Sequence, residues 1–391
     1  MLRYLSADYV FPASSEPVKD GVVVLNESGE VIDLLDPNQG LTTPGKIEYY
    51  QGIIVPGFVN SHCHLELSHL HGKIPQGTGL VTFVKAVISQ RTADEEEVLT
   101  AMKTNDQLMS DNGIVAVGDI SNNHFSKSVK ENSRIYYHTF VELLGFDPEK
   151  AETVFNKALK LKFDFAPLPA SIVPHAPYSV SEKLFGLLRE YSESHRNLCS
   201  MHNQESRAET DLFMNKSGGF PDFYKMLNLD LNFFKARYQS SIQCILPLFS
   251  AKQRTLLVHN TYTSPEDIGV ASASGKEITW CFCPNANLYI EGRLPDIDKF
   301  LAYDFKITVG TDSLASNDKL CILSELKVLK EYFPELPFSQ TIRWATLNGA
   351  EFLGIDKRFG SIEKGKTPGL NLIENVGGLE LTAHSTIKKL I

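Results

Sequence analysis

Two histidines in the first third of the chain are spaced as a pair of metal ligands would be. His62 and His64 lie in the stretch PGFVNSHCHLELSHL, at the end of an apolar run. Residues i and i+2 of a β-strand point to the same side, so both imidazoles can face one ion. An H-x-H pair alone is weak evidence, because such histidines also occur as ordinary polar residues at the end of a strand. The pair gains meaning only if the rest of the chain supplies further ligands.

Three more polar residues follow apolar runs in the same way. His202 ends the run LCSM, His259 ends LLV, and Asp312 follows ITVGT. If these runs are parallel strands of one barrel, their C-terminal ends meet at the rim where the active sites of such barrels lie. Imidazole nitrogens and a carboxylate oxygen without thiolate suit Zn²⁺, and they are also compatible with Fe²⁺ or Mn²⁺. The sequence therefore predicts a metal site built from strand ends.

A carboxylate stands close to this predicted site. Glu205 follows His202 by three residues in the stretch HNQE. From there it can reach past a metal towards a substrate and carry protons between an activated water and a leaving group. The alternative is that Glu205 is a surface charge or a helix cap.

The elements that would position these residues are short β-branched runs separated by helical patterns. Eight runs are predicted as strands: Ile53–Asn60, Ile114–Ile120, Arg134–Leu144, Ser171–His175, Leu198–His202, Thr255–His259, Ile278–Cys283 and Ile307–Gly310. Apolar residues at helical spacing, such as Phe83, Val87 and Ile88, lie between the runs. Strands that alternate with helices predict an α/β protein with a (β/α)8 TIM barrel.

The two ends of the chain have a different pattern. Residues 1–52 and 360–391 alternate short β-like runs with turn residues, and neither segment is large enough to fold alone. We predict that they pair into one small β-domain, a sandwich, beside the barrel formed by residues 53–359.

One connection between predicted strands is unusually long. Residues 204–254 form an insertion rich in aromatic side chains, namely Phe213, Phe220, Phe223, Tyr224, Phe233, Phe234 and Tyr238. Extra helices packed on the barrel would explain it, and so would a lid over the mouth of the active site. The two interpretations are compatible.

The composition limits the class of protein. The 391 residues are 42% hydrophobic and 22% charged, with a formal net charge of −9. An acidic protein is a poor match for nucleic acid or an anionic membrane, because both need a basic surface. The six cysteines form no C-x-x-C pair, which predicts reduced thiols and a cytoplasmic location. No apolar run is long enough to span a membrane.

Seven stretches together resemble the amidohydrolase superfamily, in its cytosine deaminase and chlorohydrolase-like branch. They are PGFVNSHCHLE, VPHAPYSVS, MHNQES, LLVHNTY, CFCPNANLYI, VGTDSLASND and WATLNGAEFLG, and they follow the order of that family. The C-terminal stretch GSIEKGKTPGLNLI departs from the usual pattern, which has an Ala-Asp pair where this chain has Pro368 to Asn371. That piece belongs to the predicted β-domain, so the departure puts little of the chemistry in doubt.

The resemblance implies a mononuclear site and the roles of its residues. The implied ligands are His62, His64, His202 and Asp312. His259 would orient the attacking water and, with Asp312, accept its proton, while Glu205 would shuttle protons to the substrate. Binuclear relatives need a carboxylated lysine after the fourth strand, and here that strand ends in VPH.

The same resemblance gives candidate substrate contacts. The predicted substrate-binding residues are Glu66, His175, Glu142 and Ser313. Glu66 in HCHLELS matches aminodeoxyfutalosine deaminases, which act on an adenine ring. Both glutamates also have a structural alternative, which for Glu66 is to bind N–H groups of a loop.

Three functional hypotheses follow. The first is hydrolytic deamination of a purine-type or nucleoside-like substrate, of the aminodeoxyfutalosine or adenosine type. The second is hydrolysis of another C–N or C–Cl bond, as by a cyclic amidase or an s-triazine chlorohydrolase, and ammonia release separates it from the first. The third is a member of the fold without catalysis. We also expect a homodimer, because dimers are frequent in this branch.

Overall fold

The computed structural model describes residues 2–37, 45–195, 197–236 and 239–391. The strands within these ranges are β1 (Arg3–Val10), β2 (Val18–Lys19), β3 (Val22–Leu25), β4 (Val31–Leu35), β5 (Ile47–Pro56), β6 (Phe58–Cys63), β7 (Ile114–Ser121), β8 (Tyr136–Leu143), β9 (Ala170–Pro174), β10 (Leu198–Asn203), β11 (Arg254–His259), β12 (Glu277–Phe282), β13 (Lys306–Val309), β14 (Leu370–Glu374) and β15 (Thr386–Lys389).

Helices separate most of the strands from β6 onward. They are α1 (Leu80–Gln90), α2 (Glu95–Asp111), α3 (Lys127–Glu131), α4 (Ala151–Asp164), α5 (Glu182–His195), α6 (Arg207–Asn215), α7 (Phe220–Met226), α8 (Ser241–Ile245), α9 (Pro265–Ala273), α10 (Pro284–Glu291), α11 (Ile297–Leu301), α12 (Ile322–Tyr332), α13 (Phe338–Trp344) and α14 (Leu347–Leu353).

Eight strands pair in parallel as two halves, β6 to β9 and β10 to β13, each in sequence order. Most of their residues are buried, for example every residue of β6 and of β10. Strands covered on both faces must be apolar almost throughout, which is why the sequence shows short continuous runs rather than alternation. The polar residues that interrupt these runs are therefore expected to have a structural or functional role.

The two halves meet at a first seam between β9 and β10. The backbone N–H of His202 donates to the carbonyl of His175 at 2.9 Å. Lower in the seam, the side-chain amide of Asn197 donates to the carbonyl of Ile172 at 2.7 Å. These bonds continue the parallel pairing from one half to the other.

The second seam joins β13 to β6 and closes the ring of strands. The backbone N–H groups of Thr311 and Asp312 both donate to the carbonyl of His62, at 3.0 and 3.1 Å. Gly310 allows this approach, because a Cβ there would lie 2.8 Å from that carbonyl oxygen. The eight strands thus form the predicted TIM barrel, and the predicted fold class is confirmed.

The first barrel strand differs from its predicted bounds. The run Ile53–Asn60 was expected to be one strand, but Ile53–Pro56 belongs to β5 and the barrel strand β6 begins at Phe58. Gly57 makes the transition between the two sheets, and its N–H donates to the carbonyl of Pro368 at 3.2 Å. An apolar run of this kind does not reveal that the chain changes sheets within it.

Both ends of the chain contribute to one further sheet. Its strand order is β15-β14-β5-β1-β3-β4, with β2 paired to β1, so β14 from the C-terminus lies beside β5 from the N-terminus. The described strands of both ends thus lie in one hydrogen-bonded sheet, as expected for one small β-domain, and its description as a sandwich stays a prediction. The predicted boundary after residue 52 falls within β5, which continues to Pro56. The division into two domains otherwise stays a prediction.

The long insertion carries α6, α7 and α8, which pack on the barrel. Tyr224 donates a hydrogen bond to the carbonyl of Tyr178 and stacks on Phe146 with ring centroids 4.9 Å apart. The ring centroids of Phe220 and Tyr178 are 4.4 Å apart. The insertion is therefore at least a set of extra helices, and its role as a lid stays a prediction. Tyr238 lies outside the described residues.

The structure also bears on two expectations drawn from composition, one about the cysteines and one about membrane-spanning segments. All six cysteines are buried and free of disulfides. In the part of the chain that the structure describes, we find no helix with the length and apolar character needed to cross a bilayer.

We expect that Gly57→Ala lowers the free energy of unfolding by about 1–3 kcal/mol, because overpacking has that typical cost. The new Cβ would lie 2.3 Å from Val115 Cγ1 and 2.6 Å from the carbonyl oxygen of Pro368. Urea denaturation would measure the change. Gly186→Ala in α5 is the matched control, because its Cβ meets nothing within 4 Å and alanine favours a helix. Equal stability of the two variants would contradict the close approach at Gly57.

Candidate active site

The four predicted ligands converge at the C-terminal rim of the barrel. His64 Nε2 lies 3.1 Å from His62 Nε2 and 3.2 Å from His202 Nε2. The Asp312 Oδ1 oxygen is 3.4 Å from His64 Nε2 and 3.6 Å from His62 Nε2. All four residues are buried. The strand ends β6, β10 and β13 therefore bring one set of donor atoms to a single point.

This donor set fits a divalent metal. Nitrogen and oxygen ligands lie about 2.0–2.2 Å from zinc, so at tetrahedral corners they are about 3.3 Å apart, close to the distances between these atoms. Burial lowers the pKa of His64 to about 3, so its imidazole is neutral and offers a lone pair. Lone pairs that face one another in a buried pocket repel, and a cation between them removes that repulsion.

Hydrogen bonds on the far side of two ligands fix their orientation. His202 Nδ1 lies 2.8 Å from the carbonyl oxygen of His175, so Nδ1 carries the proton and Nε2 faces the donor cluster. The hydroxyl of Ser316 donates to Asp312 Oδ2, which leaves Oδ1 directed at the histidines. Burial alone would raise the pKa of Asp312, but the hydrogen bond with His62 and the nearby His64 outweigh it and hold that pKa well below its usual range.

Two site residues have a left-handed backbone. His259 has φ +74° and Asp312 has φ +57° at the ends of β11 and β13. Such a conformation costs a residue other than glycine about 1–3 kcal/mol, and it persists where the surroundings impose it. The turn at each strand end aims the side chain at the donor cluster instead of continuing the strand.

His259 lies beside the ligand cluster and has a defined tautomer. Its Nδ1 is 3.2 Å from the amide oxygen of Asn287, while the amide nitrogen of Asn287 donates to the hydroxyl of Thr261. This arrangement places the His259 proton on Nδ1 and leaves Nε2 as a base that faces Glu205 Oε1 at 3.6 Å. Burial lowers the pKa of His259 to about 4, which keeps the ring neutral.

Glu205 lines the same cavity as His64, His202 and Asp312, and its carboxyl group is not one of the clustered ligands. Gln204 turns the chain with φ +46°, and its N–H donates to Glu209 at 3.0 Å. Burial first, and the nearby charge of Asp312 second, raise the pKa of Glu205 well above its usual range. Glu205 is therefore suited to hold a proton and to give it up inside the cavity.

The cavity has a volume of about 110 Å³. Three of the four predicted ligands, His64, His202 and Asp312, line it together with His175, Glu142 and Ser313. Apolar residues of α1, among them Val84 and Ile88, also line it. Three of the four predicted substrate-binding residues thus face the cavity, and their contact with substrate stays a prediction.

Glu142 combines a buried carboxyl group with an unused acceptor. Its Oε2 accepts from the amide of Asn122 at 2.9 Å. Its Oε1 has no hydrogen-bond partner among the described residues and lies 3.7 Å from His202 Nδ1. Burial raises the pKa of Glu142 to about 7. This free oxygen is available to a group on a bound ligand.

Glu66 occupies a different place from the predicted one. Its Oε2 accepts from the backbone N–H of Asn122 and from the amide of Asn123, both at 3.0 Å. Ser126 donates to its other oxygen at 3.3 Å. These bonds are the structural alternative for this residue, and its side chain does not line the cavity described above. We therefore propose no substrate contact for Glu66.

A second group of potential ligands, Glu142, His175 and His202, lies beside the first. His202 Nδ1 is already bound to a backbone carbonyl, and His175 Nδ1 lies 2.7 Å from the hydroxyl of Ser179. Two free donor atoms remain, which is too few for a typical protein metal site. The main cluster is the metal-binding candidate.

A family model agrees with this geometry. The model of the amidohydrolase family matches residues 53–389, which is most of the chain. The chain belongs to the amidohydrolase family.

Similar proteins include an adenosine deaminase from Helicobacter pylori, which is 27% identical over 95% of this chain and 92% of its own. A crystal structure of Helicobacter pylori aminofutalosine deaminase with methylthio-coformycin has a TM-score of 0.82 and 23% identity, covering 99% of this chain and 97% of that one. An adenosine deaminase from Xanthomonas campestris with bound zinc has a TM-score of 0.74 and 20% identity, covering 98% and 87%. At these identities the two structures confirm the fold.

The structure also adds site residues that sequence reasoning did not single out. Asn287 orients His259, and Ser316 holds Asp312. Each lies within a stretch that resembles the amidohydrolases, PNAN and DSLAS, so the motif contained the signal although no role had been assigned. Arg91 lines the cavity but lies outside every such stretch, and nothing in its sequence context marks it.

We expect His64→Ala and Asp312→Ala each to weaken zinc binding strongly. Loss of a residue that only hydrogen-bonds to a ligand typically weakens metal binding about 10–100-fold, and loss of the ligand itself should exceed that. Zinc content after dialysis against a competing chelator would measure this. His69→Ala is the matched control from the same segment, because His69 Nε2 lies 3.2 Å from a backbone carbonyl outside the cluster. Full zinc retention by His64→Ala, or its loss in His69→Ala, would contradict the assigned ligands.

Proposed function

We propose that this amidohydrolase is a metal-dependent deaminase that replaces the exocyclic amino group of an adenine-type nucleoside with the oxygen of water. The observation that carries the proposal is Glu205, a carboxyl group outside the ligand cluster that faces the same cavity as the cluster. Deamination needs such a group, because both a ring nitrogen and the leaving amine must gain protons. A second zinc-dependent deaminase fold combines a metal centre with a non-ligand glutamate in this way.

The metal held by His62, His64, His202 and Asp312 would supply the acidity, because a bound divalent ion lowers the pKa of water from about 15.7 towards about 7. His259 accepts the proton of the attacking water at Nε2, since Asn287 holds the proton of this ring on Nδ1. Asp312 assists His259 as a proton acceptor through Oδ1, the oxygen that faces His62 and His64.

Glu205 then moves protons on the substrate side. Its carboxyl proton goes to the ring nitrogen next to the carbon under attack, so that this carbon can accept the oxygen. A proton returned through Glu205 goes to the amino group as its C–N bond breaks. The balance is one water consumed and one ammonia released, with a carbonyl and a ring N–H in the product.

A second cavity supports a nucleoside rather than a free base. An apolar groove of about 250 Å³ adjoins the catalytic cavity and shares with it Val84, Ile88, Leu144, His175 and Tyr178. A ring bound at the donor cluster would extend its sugar and substituent into this groove. The names of the similar adenosine and aminofutalosine deaminases agree with such a substrate.

Zinc is the ion we propose, with Fe²⁺ or Mn²⁺ as substitutes. Three histidines and one carboxylate suit zinc, and the Xanthomonas campestris neighbour contains it. The expected homodimer stays a prediction.

We expect the zinc-loaded wild-type protein to release ammonia from adenosine or a 5′-substituted adenosine. Glu205→Gln should keep its zinc and lose about 10²–10⁴-fold in kcat, the usual contribution of a proton-transfer group. Glu193→Gln, an exposed change on α5, serves as the control with unchanged kcat. Ammonia release, zinc content and thermal unfolding would be measured on all three proteins.

Two results would contradict the proposal. Full activity of Glu205→Gln would remove this residue from proton transfer. If the protein hydrolysed a chlorotriazine or a cyclic amide and released no ammonia from any adenine compound, its function would be hydrolysis of another C–N or C–Cl bond and not deamination.

A further inference from the structure

A backbone turn at Gln204 carries the Glu205 carboxyl group into the catalytic cavity. Gln204 is buried and has φ +46°, a conformation that is unfavourable for a residue other than glycine. The Glu205 carboxyl group lies 3.6 Å from His259 Nε2, which is longer than a hydrogen bond. The direction of Glu205 therefore depends on the turn before it more than on this neighbour.

Two buried carboxyl groups bind the residue that makes this turn. Glu209, in the first turn of α6, accepts the backbone N–H of Gln204 at Oε1 over 3.0 Å. Asp267, in the first turn of α9, accepts the side-chain amide of Gln204 at 2.7 Å. The carbonyl of Gln204 accepts the backbone N–H of Tyr262 at 2.8 Å. Partners on three elements thus impose the left-handed backbone.

The long insertion between β10 and β11 holds both carboxyl groups from behind. The hydroxyl of Ser241 in α8 donates to Glu209 Oε1, the same oxygen that accepts the backbone N–H of the turn. Ser240 and Gln243 donate to Asp267 Oδ1 at 2.6 and 3.0 Å. Since all these groups lie on or beside α8, this helix is connected by hydrogen bonds to the segment that bears the proton-transfer group.

We propose that Glu209 is a positioning residue for deamination, and that its carboxyl group fixes the turn at Gln204 and so aims Glu205 at the substrate. The inference rests on the proposed function, since it assigns the part of the fold that orients the proton-transfer group. Without the acceptor on Glu209, a buried N–H loses its partner and the strained turn relaxes. The insertion then has a role in catalysis that does not require it to be a lid, because Ser241 holds Glu209 in place.

Two substitutions of Glu209 separate the acceptor from the rest of the side chain. Glu209→Ala removes the acceptor, and we expect it to lower kcat about 10–100-fold at unchanged zinc content, because a small misplacement of a reacting group has a cost of that size. Glu209→Gln should keep most of the wild-type kcat. Its amide oxygen replaces the acceptor, and burial raises the pKa of Glu209 to about 7, so a neutral group of the same shape is a close substitute. Glu152→Ala, an exposed glutamate in the first turn of α4, is the control with unchanged kcat.

The double variant Glu205→Gln/Glu209→Ala distinguishes positioning from a general effect on the fold. If Glu209 acts through Glu205, its removal should add little once Glu205 has been replaced, because residues of one unit are not additive. A general effect would lower the residual kcat by the same factor in both backgrounds. If Glu209→Ala does not fold, Ser241→Ala takes its place, and its smaller loss should also disappear in the Glu205→Gln background.

Ammonia release from one adenosine compound, zinc content and thermal unfolding would be measured on every variant. A wild-type kcat in Glu209→Ala, with Glu205→Gln impaired, would overturn the inference and leave the proposed function intact. An equal loss in both backgrounds, or a loss in Glu209→Gln as large as that in Glu209→Ala, would also overturn it. Full activity of Glu205→Gln would overturn the proposed function and this inference with it.

Discussion

The imidazole nitrogens of three histidines and one oxygen of Asp312 lie 3.1–3.6 Å from one another at the buried C-terminal rim of the barrel. Without a cation between them, neutral imidazoles in this arrangement would present lone pair to lone pair, at a cost that a low-dielectric interior increases. The need to bring these donors together explains much of the surrounding structure. It explains why otherwise apolar strands end in polar residues and why Asp312 adopts a left-handed backbone.

The ligands also take part in closing the barrel. The carbonyl of His62 accepts both backbone N–H groups that join β13 to β6, and His202 uses its backbone N–H and its ring to bind His175 across the other seam. The same residues thus hold the two halves together and form the metal-binding cluster. We therefore expect that a change at either seam moves ligand atoms and weakens metal binding.

Much of the site was predictable because strand ends of a parallel barrel share one rim. His62, His64, His202, His259 and Asp312 could be placed together from their positions after apolar runs. Other features could not be derived in this way. The run through Gly57 reads as one strand although it crosses between sheets, and the oxygens of Glu66 are taken by Asn122, Asn123 and Ser126, which are distant in sequence. Arg91 depends on how α1 lies over the cavity, which no local pattern contains.

The most direct test of the account is a titration of metal-free protein with zinc while ammonia release from a 5′-substituted adenosine is followed. If one cluster binds one ion and this ion is required for deamination, activity should rise in proportion to added zinc and reach a plateau at one equivalent per chain. Activity that does not depend on zinc, or full zinc binding without any release of ammonia, would contradict the account.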